Sequence, residues 1–560
     1  MKVITANIKL AMQGTFFLLF KNYFNSKKKL REISKLDLSQ ITSYFEKYKK
    51  KGNVDRVVLV ELFHEHPTVN NNNHIVSLLL SHKYCTETIG FLKYRSCSEV
   101  KYVAKKYNVS KFVYVYTWKN SIYRVKAFFS LINSLSKLNY EKSTGWEIKV
   151  EGVEIGDLVY DQYLRYTNLP TVRKLTINYT LYIYNAIFYF YRYLDVLKEN
   201  NVTDVILSHG VYAEYGILAR VASSLSRDIK IYQWFNLNPM NVSVHTANKE
   251  YVRKPRYYEP NVMERILKNN DRNDLLAEYS HIMRSRMEGD DKNQIDVAFV
   301  YKGNEINSKT DFIEQYSPDS NKKNIFIYAH AFVDSVRYSH WSLYSDYYTW
   351  LYETLFNLVE ESKISNIYIK PHPSESMYKC NVTVKDTIDD INSRYGAAFV
   401  YLDKKVHNRV IFNISNTIIT SNGTVALEAV CYGIPVLVAG STLYERADTV
   451  CQPNTIDEYV NCLRDIGNIK HPTEETIERA KLCFMFFQKY VYVPASFLRN
   501  GYVFSSADRC AEYAEHNKAF GTKVKLEDEL LFQAFDYMLE KNENDTIFLD
   551  WKASNESTYS

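Results

Sequence analysis

A chain of 560 residues, 46% hydrophobic and 24% charged, has the balance of a globular protein and room for two large α/β domains or three to four ordinary units. A formal net charge of +6 is too small at this length to mark a nucleic-acid binder. With 17 Gly and 12 Pro, collagen-like, linker-dominated and turn-rich all-β architectures are excluded. The 48 Tyr are scattered among Asn, Lys and Ile and read first as codon bias.

From the N-terminus, Phe16-Phe17-Leu18-Leu19-Phe20 is apolar but far short of the ~20 residues that span a bilayer. The basic Lys27-Lys28-Lys29-Leu30-Arg31 follows the apolar run, the reverse of a secretory signal. The segment reads equally as a helix lying on an anionic membrane surface and as a packed helix with a solvated basic end. Arg56 to Leu62 is a buried strand by its apolar, β-branched run. Phe63-His64-Glu65-His66-Pro67 and an Asn-rich turn then lead into a helix around Ile75 to Leu80, the opening of a Rossmann-like domain. Lys111 to Tyr116 and Asp204 to Ser208 are further strands. Tyr179 to Val196 is an aromatic-rich buried helix, and Asn185, Arg192 and Asp195 make it a poor membrane span.

Glu288 to Lys323 is rich in Asp, Asn, Lys and Ser and reads as an interdomain connection. Strand patterning restarts at Asn324 to Ala329 and continues at 364–369, 397–402, 416–420 and 435–439, with helices after Pro472 and a polar, disordered last dozen residues. The predicted organisation is an N-terminal Rossmann-like domain with a helical extension (1–287), a connection (288–323), a C-terminal Rossmann-like domain (324–500), C-terminal helices (501–545) and a disordered tail (546–560). Eight cysteines show no C-x-x-C pair and no zinc spacing, so they read as small core residues in a reducing compartment, with no structural metal.

Two motifs carry chemistry. Thr420-Ser421-Asn422-Gly423-Thr424 ends a strand, Val425 to Tyr432 is a short helix, and Gly433 with Pro435 stops it before the strand at Val436. A polar turn at a helix N-terminus suits a phosphate, because backbone N–H groups there are unpaired and the helix dipole is positive. Glu428, one turn beyond Thr424, reads as a contact to a nucleotide ribose or to the start of its own helix. Upstream, Ile364 to Ile369 delivers Lys370-Pro371-His372-Pro373 at a strand's carboxyl end, where open α/β sheets bind ligands. The two prolines hold His372 extended. Lys370 and His372 supply a cation and a proton donor for a phosphate leaving group.

With these motifs the chain resembles bacterial capsular polysaccharide biosynthesis proteins, two-domain GT-B glycosyltransferases of which several use CMP-activated acidic sugars such as Kdo. The resemblance extends through Tyr328 to Asp334, Asp346 to Leu351, Val153 to Asp161 and Ser208 to Gly216, patchily between Val153 and Gly440. It implies two Rossmann-like domains facing a central cleft, the first (1–287) for the acceptor and the second (324–500) for the nucleotide-sugar, followed by C-terminal helices. The more distant bacterial sialyltransferases hold the CMP phosphate with a His-Pro motif, matched by His372-Pro373, and a Ser-Ser/Thr motif. Ser421 matches the start of the second, Asn422 replaces its next hydroxyl, and Thr424 stands nearby. Their acidic-acidic-Gly motif for the general base has no counterpart, so the base is unassigned.

Other positions fall at strand ends facing such a cleft. His209, after Ser208, suits an acceptor-hydroxyl binder or general base, with Glu214 just beyond. His64-Glu65-His66 invites a metal, but no third ligand is spaced for it, so acceptor binding by Glu61, His64 and Glu65 is the better reading, with either Glu able to act as base. His330 and Asp334 follow the first strand of the second domain, His330 suited to the donor phosphate and Asp334 to an acceptor hydroxyl or its proton. Trp341 and Trp350 read as packing residues. The expected function is metal-independent, inverting sugar transfer from a nucleotide-activated donor to a growing surface polysaccharide or glycolipid. No cofactor is expected, and the expected site is the cytoplasm, with the inner membrane face and capsule assembly proteins as further contacts. A CDP-glycerol-type polyol-phosphate transferase and a non-catalytic capsule scaffold are the alternatives.

Overall fold

The computed structural model describes residues 26–64, 66–117, 119–137, 145–225, 228–236, 239–245, 257–290, 301–335, 342–498, 508–521, 524–541 and 546–550. Phe16 to Phe20, Glu65, Trp341 and the last ten residues lie outside this set, so the readings made of them rest on sequence alone.

The strands, in chain order, are β1 (Arg56–Glu61), β2 (Thr86–Leu92), β3 (Lys111–Tyr114), β4 (Lys149–Val150), β5 (Val153–Glu154), β6 (Asp204–Leu207), β7 (Lys230–Phe235), β8 (Asn241–His245), β9 (Asn324–Tyr328), β10 (Asn366–Lys370), β11 (Val400–Tyr401), β12 (Thr417–Thr420) and β13 (Val436–Val438). They form a six-stranded sheet in the order β3-β2-β1-β6-β7-β8, a five-stranded sheet in the order β11-β10-β9-β12-β13, and the small β4-β5 hairpin. The five-stranded sheet is wholly parallel, and in the six-stranded one only the edge strand β8 runs antiparallel. The architecture is α/β with two Rossmann-like domains, as the strand-helix alternation predicts.

Burial on both faces explains the near-continuous apolar strands. Leu59, Val205 and Ile231 pack on one side of the first sheet, and Val58, Val60 and Ile206 on the other. In the second sheet Ile325, Ile327, Ile369 and Ile419 face one layer, while Phe326, Tyr328, Tyr368 and Ile418 face the opposite one. This opposite layer and the Val58 layer belong to one continuous core, so the two domains share apolar packing. A buried polar tie joins them as well: the Tyr160 hydroxyl donates to Asp346 at 2.6 Å, and Asp346 also caps the helix Tyr347–Asn357.

Four readings need revision. Asn70 to Asn73 form part of the helix Pro67–Lys83 rather than a turn. Pro67 starts that helix without needing an N–H partner, and the asparagines are buried because their amides hold other groups. Asn73 Nδ2 donates to the Glu61 carbonyl at 2.6 Å, and Asn73 Oδ1 accepts from Trp234 at 2.7 Å. Helices Pro260–Asn269 and Arg272–Met287, grouped by sequence with the first domain, sit on the second, where Tyr279 packs on Phe484 at 5.7 Å. Within the predicted connection, the helix Lys309–Tyr316 places Phe312 against Phe326 and Tyr368 in the second domain. Thr546 to Asp550, read from sequence as the start of a disordered tail, are buried, because the Ile547 N–H donates to the Val242 carbonyl at 2.9 Å and the Leu549 N–H to the Tyr490 carbonyl at 3.0 Å. The preceding helix Arg509–Phe520 packs Phe520 on Tyr44 and Phe45. Trp350 packs, fully buried, with its N–H on the Tyr459 hydroxyl at 3.0 Å.

Candidate active site

The carboxyl ends of β9, β10 and β12 open on a cavity of about 130 Å³ in the second domain. Its wall brings together His330 after β9, Lys370 at the end of β10 with His372 beyond it, and Thr420 at the end of β12 with Gly423 and Thr424 beyond it. Three adjacent parallel strands therefore converge on one point, as open α/β sheets do at their ligand edge.

His330 lies between two rings, stacked on Tyr347 at 4.4 Å with His372 parallel to it at 5.9 Å. Burial, and then the neighbouring His372, pushes the His330 pKa down to about 3, so its ring is neutral at physiological pH. His372 Nδ1 accepts the Ser374 backbone N–H at 3.2 Å, with the Ser374 hydroxyl 2.6 Å away. An accepting Nδ1 puts the proton of the neutral ring on Nε2. Lys370 Nζ donates to the Val406 carbonyl at 2.7 Å and to Asn408 Oδ1 at 2.6 Å. Burial lowers its pKa to about 7 against the opposing pull of Glu428. This lysine can gain a full charge when an anion arrives.

Glu428 lines the cavity, but its carboxylate is already held. Arg286 Nη2 reaches Oε1 at 2.8 Å and the Tyr301 hydroxyl donates to Oε2 at 2.6 Å. Asn408 Nδ2 donates to the same Tyr301 oxygen at 3.2 Å, linking this group to Lys370.

The 421–424 turn is divided. Ser421 is fully buried, does not line the cavity, and its Oγ has no hydrogen-bond partner among the described residues. Asn422 Oδ1 accepts from the Tyr347 hydroxyl at 3.4 Å. Gly423 is close-packed: a Cβ there would lie 3.1 Å from Thr420 Oγ1 and 3.6 Å from His330 Nε2. Thr424 precedes the helix Val425–Cys431 without a side-chain cap, and Gly433 takes the left-handed φ of 80° expected at its end.

In the first domain, β1 and β6 end side by side. Glu61, read from sequence as an acceptor ligand or base, is fully buried and braces this junction. It accepts from the Phe63 N–H, and from the Ser208 N–H at 3.4 Å and hydroxyl at 2.9 Å. Because Ser208 gives its proton to an acceptor-only carboxylate, its Oγ accepts from His209 Nδ1 at 2.9 Å. The lone pair of His209 is thereby placed on Nε2. His64 stacks on Tyr215 at 5.0 Å, with His209 5.2 Å from His64. Burial lowers both histidines, His209 to about 3 with His64 and Lys93 adding to the effect. Glu214 is paired with Lys93 at 2.7 Å.

Asp334 lies between the domains. Its charge acts on Tyr212 of the first domain and on Tyr347 and Tyr378 of the second. Tyr212, at φ 62° and ψ 154°, holds a backbone conformation that only glycine adopts freely, in the loop that also carries His209. The residues that sequence reasoning missed are Arg286, Tyr301, Asn408 and Lys93, and no local pattern marks them. Tyr347 is missed as well, although it lies inside a block of the family resemblance that could have pointed to it.

Among the described residues no group of three or more His, Cys, Asp or Glu could hold a metal ion. No helix among them is long and apolar enough to cross a membrane. No protein-family profile and no curated protein sequence matches the chain. Among solved structures it is similar to the Thermosulfurimonas dismutans KpsC beta Kdo 2,4 transferase, at 12% identity and a TM-score of 0.33, over 59% of this chain and 94% of that one. The beta Kdo 2,7 transferase of the same KpsC gives 12% identity and a TM-score of 0.32, over 59% and 89% of the two chains. A UDP-GlcNAc 2-epimerase from Neisseria meningitidis gives 12% and 0.21, over 77% and 98%. These likenesses are distant, and a functional assignment rests on the residues of the site.

Proposed function

We propose that this chain is an inverting, metal-independent glycosyltransferase that moves an acidic sugar from a CMP-type donor to a growing surface polysaccharide or glycolipid at the inner face of the cytoplasmic membrane. The observation that carries the reading is the convergence of His330, Lys370, His372 and Thr420 from three neighbouring strand ends on one cavity. Such a cavity offers a donor phosphate one titratable cation and fixed N–H and O–H donors, the environment in which a leaving phosphate is stabilised. The nucleotide ribose would meet the Glu428 side of the wall and the phosphate Gly423 and Thr424, with Ser421 and Asn422 reaching it once the turn opens.

In the reaction the acceptor oxygen forms a bond to the anomeric carbon as the bond from that carbon to the phosphate oxygen breaks. Electrons of the broken bond leave with the nucleotide, where His372 Nε2–H donates to the departing oxygen. The acceptor proton goes to Asp334. Transfer to His209 would create a buried cation beside His64 and Lys93, whereas transfer to Asp334 removes a charge. His209, with its lone pair on Nε2, instead accepts a hydrogen bond from the acceptor, beside the His64 and Tyr215 rings it packs on and near the Glu214–Lys93 pair. Purified protein offered CMP-Kdo, CMP-sialic acid, CDP-glycerol and UDP-sugars should consume a CMP-sugar and release CMP. Consumption of CDP-glycerol alone would move the assignment to polyol-phosphate transfer, and consumption of none would favour a scaffold.

A further inference from the structure

The helix Asn120–Leu135 buries Tyr123, Ala127, Leu131 and Ser134 against the first domain. Its opposite side leaves Ile122, Val125, Phe128, Phe129 and Ile132 between 50% and 66% exposed. At 100° per residue these five side chains occupy an arc of about 120°, so they form a stripe and are not scattered. A helix of a globular domain ordinarily places charge there, and a contiguous apolar stripe marks a surface that is covered in use. The neighbouring helix Ile177–Glu199 adds Ile177 at 84% and Leu181 at 53% exposure.

Charge identifies the cover. From Val100 to Lys137 the sequence carries seven lysines and one arginine and no acidic residue. Gln162 to Leu194, which includes most of the neighbouring helix, is likewise free of Asp and Glu. Lys126 and Lys137 are exposed along one margin of the stripe. Across the adjoining groove the β4-β5 hairpin presents Glu147 and Glu151 with Lys149 between them, so the acidic groups stand off the helix. An apolar stripe with a cationic margin is what an interfacial helix presents to anionic lipid.

We infer that the outer face of the Asn120–Leu135 helix docks on an anionic lipid bilayer, with Phe128, Phe129 and Ile132 entering the acyl boundary and Lys126 and Lys137 meeting lipid phosphates. This face is separate from the second-domain cavity. The inference goes beyond the transferase reading and does not depend on it.

The test is co-sedimentation of the full chain with phosphatidylcholine vesicles, with and without phosphatidylglycerol. Wild type should pellet with the anionic vesicles far more than with the neutral ones, and less as salt is raised. Phe129→Asp/Ile132→Asp and Lys126→Glu/Lys137→Glu should each reduce partitioning tenfold or more, while circular dichroism stays that of wild type. Donor turnover without vesicles should be the same in all three proteins, so failure of the transferase reading would leave the vesicle result standing. Three results would overturn the inference. The wild type stays in solution, or both variants pellet like wild type, or Phe129→Asp/Ile132→Asp turns a wild-type dimer into a monomer in the absence of lipid.

Discussion

Arg286 and Glu428 meet at 2.8 Å in the wall of the second-domain cavity, their side chains only 7% and 4% exposed. They come from helices more than a hundred residues apart in sequence, and the Tyr301 hydroxyl completes the group. Removing one partner of a buried ion pair strands the other, at a cost of about 3–5 kcal/mol. Glu428→Ala should therefore lower the urea midpoint of the second domain strongly. Glu428→Gln, which keeps a hydrogen-bond acceptor for Arg286, should lower it less. Equal stability of Glu428→Ala and wild type would show that the pair is not holding the cavity wall.

Ser421→Ala separates structure from binding. The Oγ is buried without a partner among the described residues, so its removal should leave stability unchanged or raise it. If the turn opens to meet the donor phosphate, the same variant loses a hydrogen bond to a charged group worth about 1.5–3 kcal/mol, roughly ten- to a hundredfold in affinity. Calorimetric titration with CMP reads this directly, and unchanged affinity would remove Ser421 from the donor site.

Lys370 gives the cavity a pH dependence whose sign is fixed by burial. Its pKa is lowered from the ordinary 10.5 to about 7. Between these values the unfolded chain holds a proton that the folded chain lacks, so this group's contribution to stability rises with pH across that window. A bound phosphate favours the ammonium, so CMP binding above pH 7 should take up a proton. Affinity should then fall as pH rises from 7 to 9, by at most about tenfold per unit. Titrations in buffers of different ionisation enthalpy measure the proton directly. In Lys370→Met the affinity should be weaker and the profile flatter, and a flat wild-type profile would place the anion elsewhere.

Most of the fold was legible because the strands are buried on both faces, which leaves apolar runs such as Val57 to Val60 and Ile325 to Ile327 unmistakable. Asn70 to Asn73 misled because buried amides holding strand-end groups look like a solvated turn in sequence. The motif positions His330, Lys370 and His372 do converge, since each lies at or just beyond the end of one of two adjacent strands and topology does the rest. Arg286 and Tyr301 were invisible for the opposite reason. They reach the cavity from segments whose packing on the second domain follows from tertiary contacts such as Tyr279 on Phe484, and nothing in their own neighbourhood encodes it. Glu61 shows a further limit, because a carboxylate at a strand end reads the same whether it meets substrate or, as here, braces Ser208.

The most direct measurement is steady-state donor turnover by His372→Ala and His372→Asn against wild type, with circular dichroism to confirm folding. Acid or electrostatic help to a leaving phosphate is typically worth roughly 10²–10⁴ in rate, about 3–5 kcal/mol. His372→Ala should lower kcat by that order while KM for the donor moves little. His372→Asn keeps an N–H donor without a transferable proton, so it should recover part of a purely electrostatic contribution and none of an acid one. If both variants turn over donor like wild type, His372 is only a rigid link between two prolines, and the cavity is not where the phosphate departs.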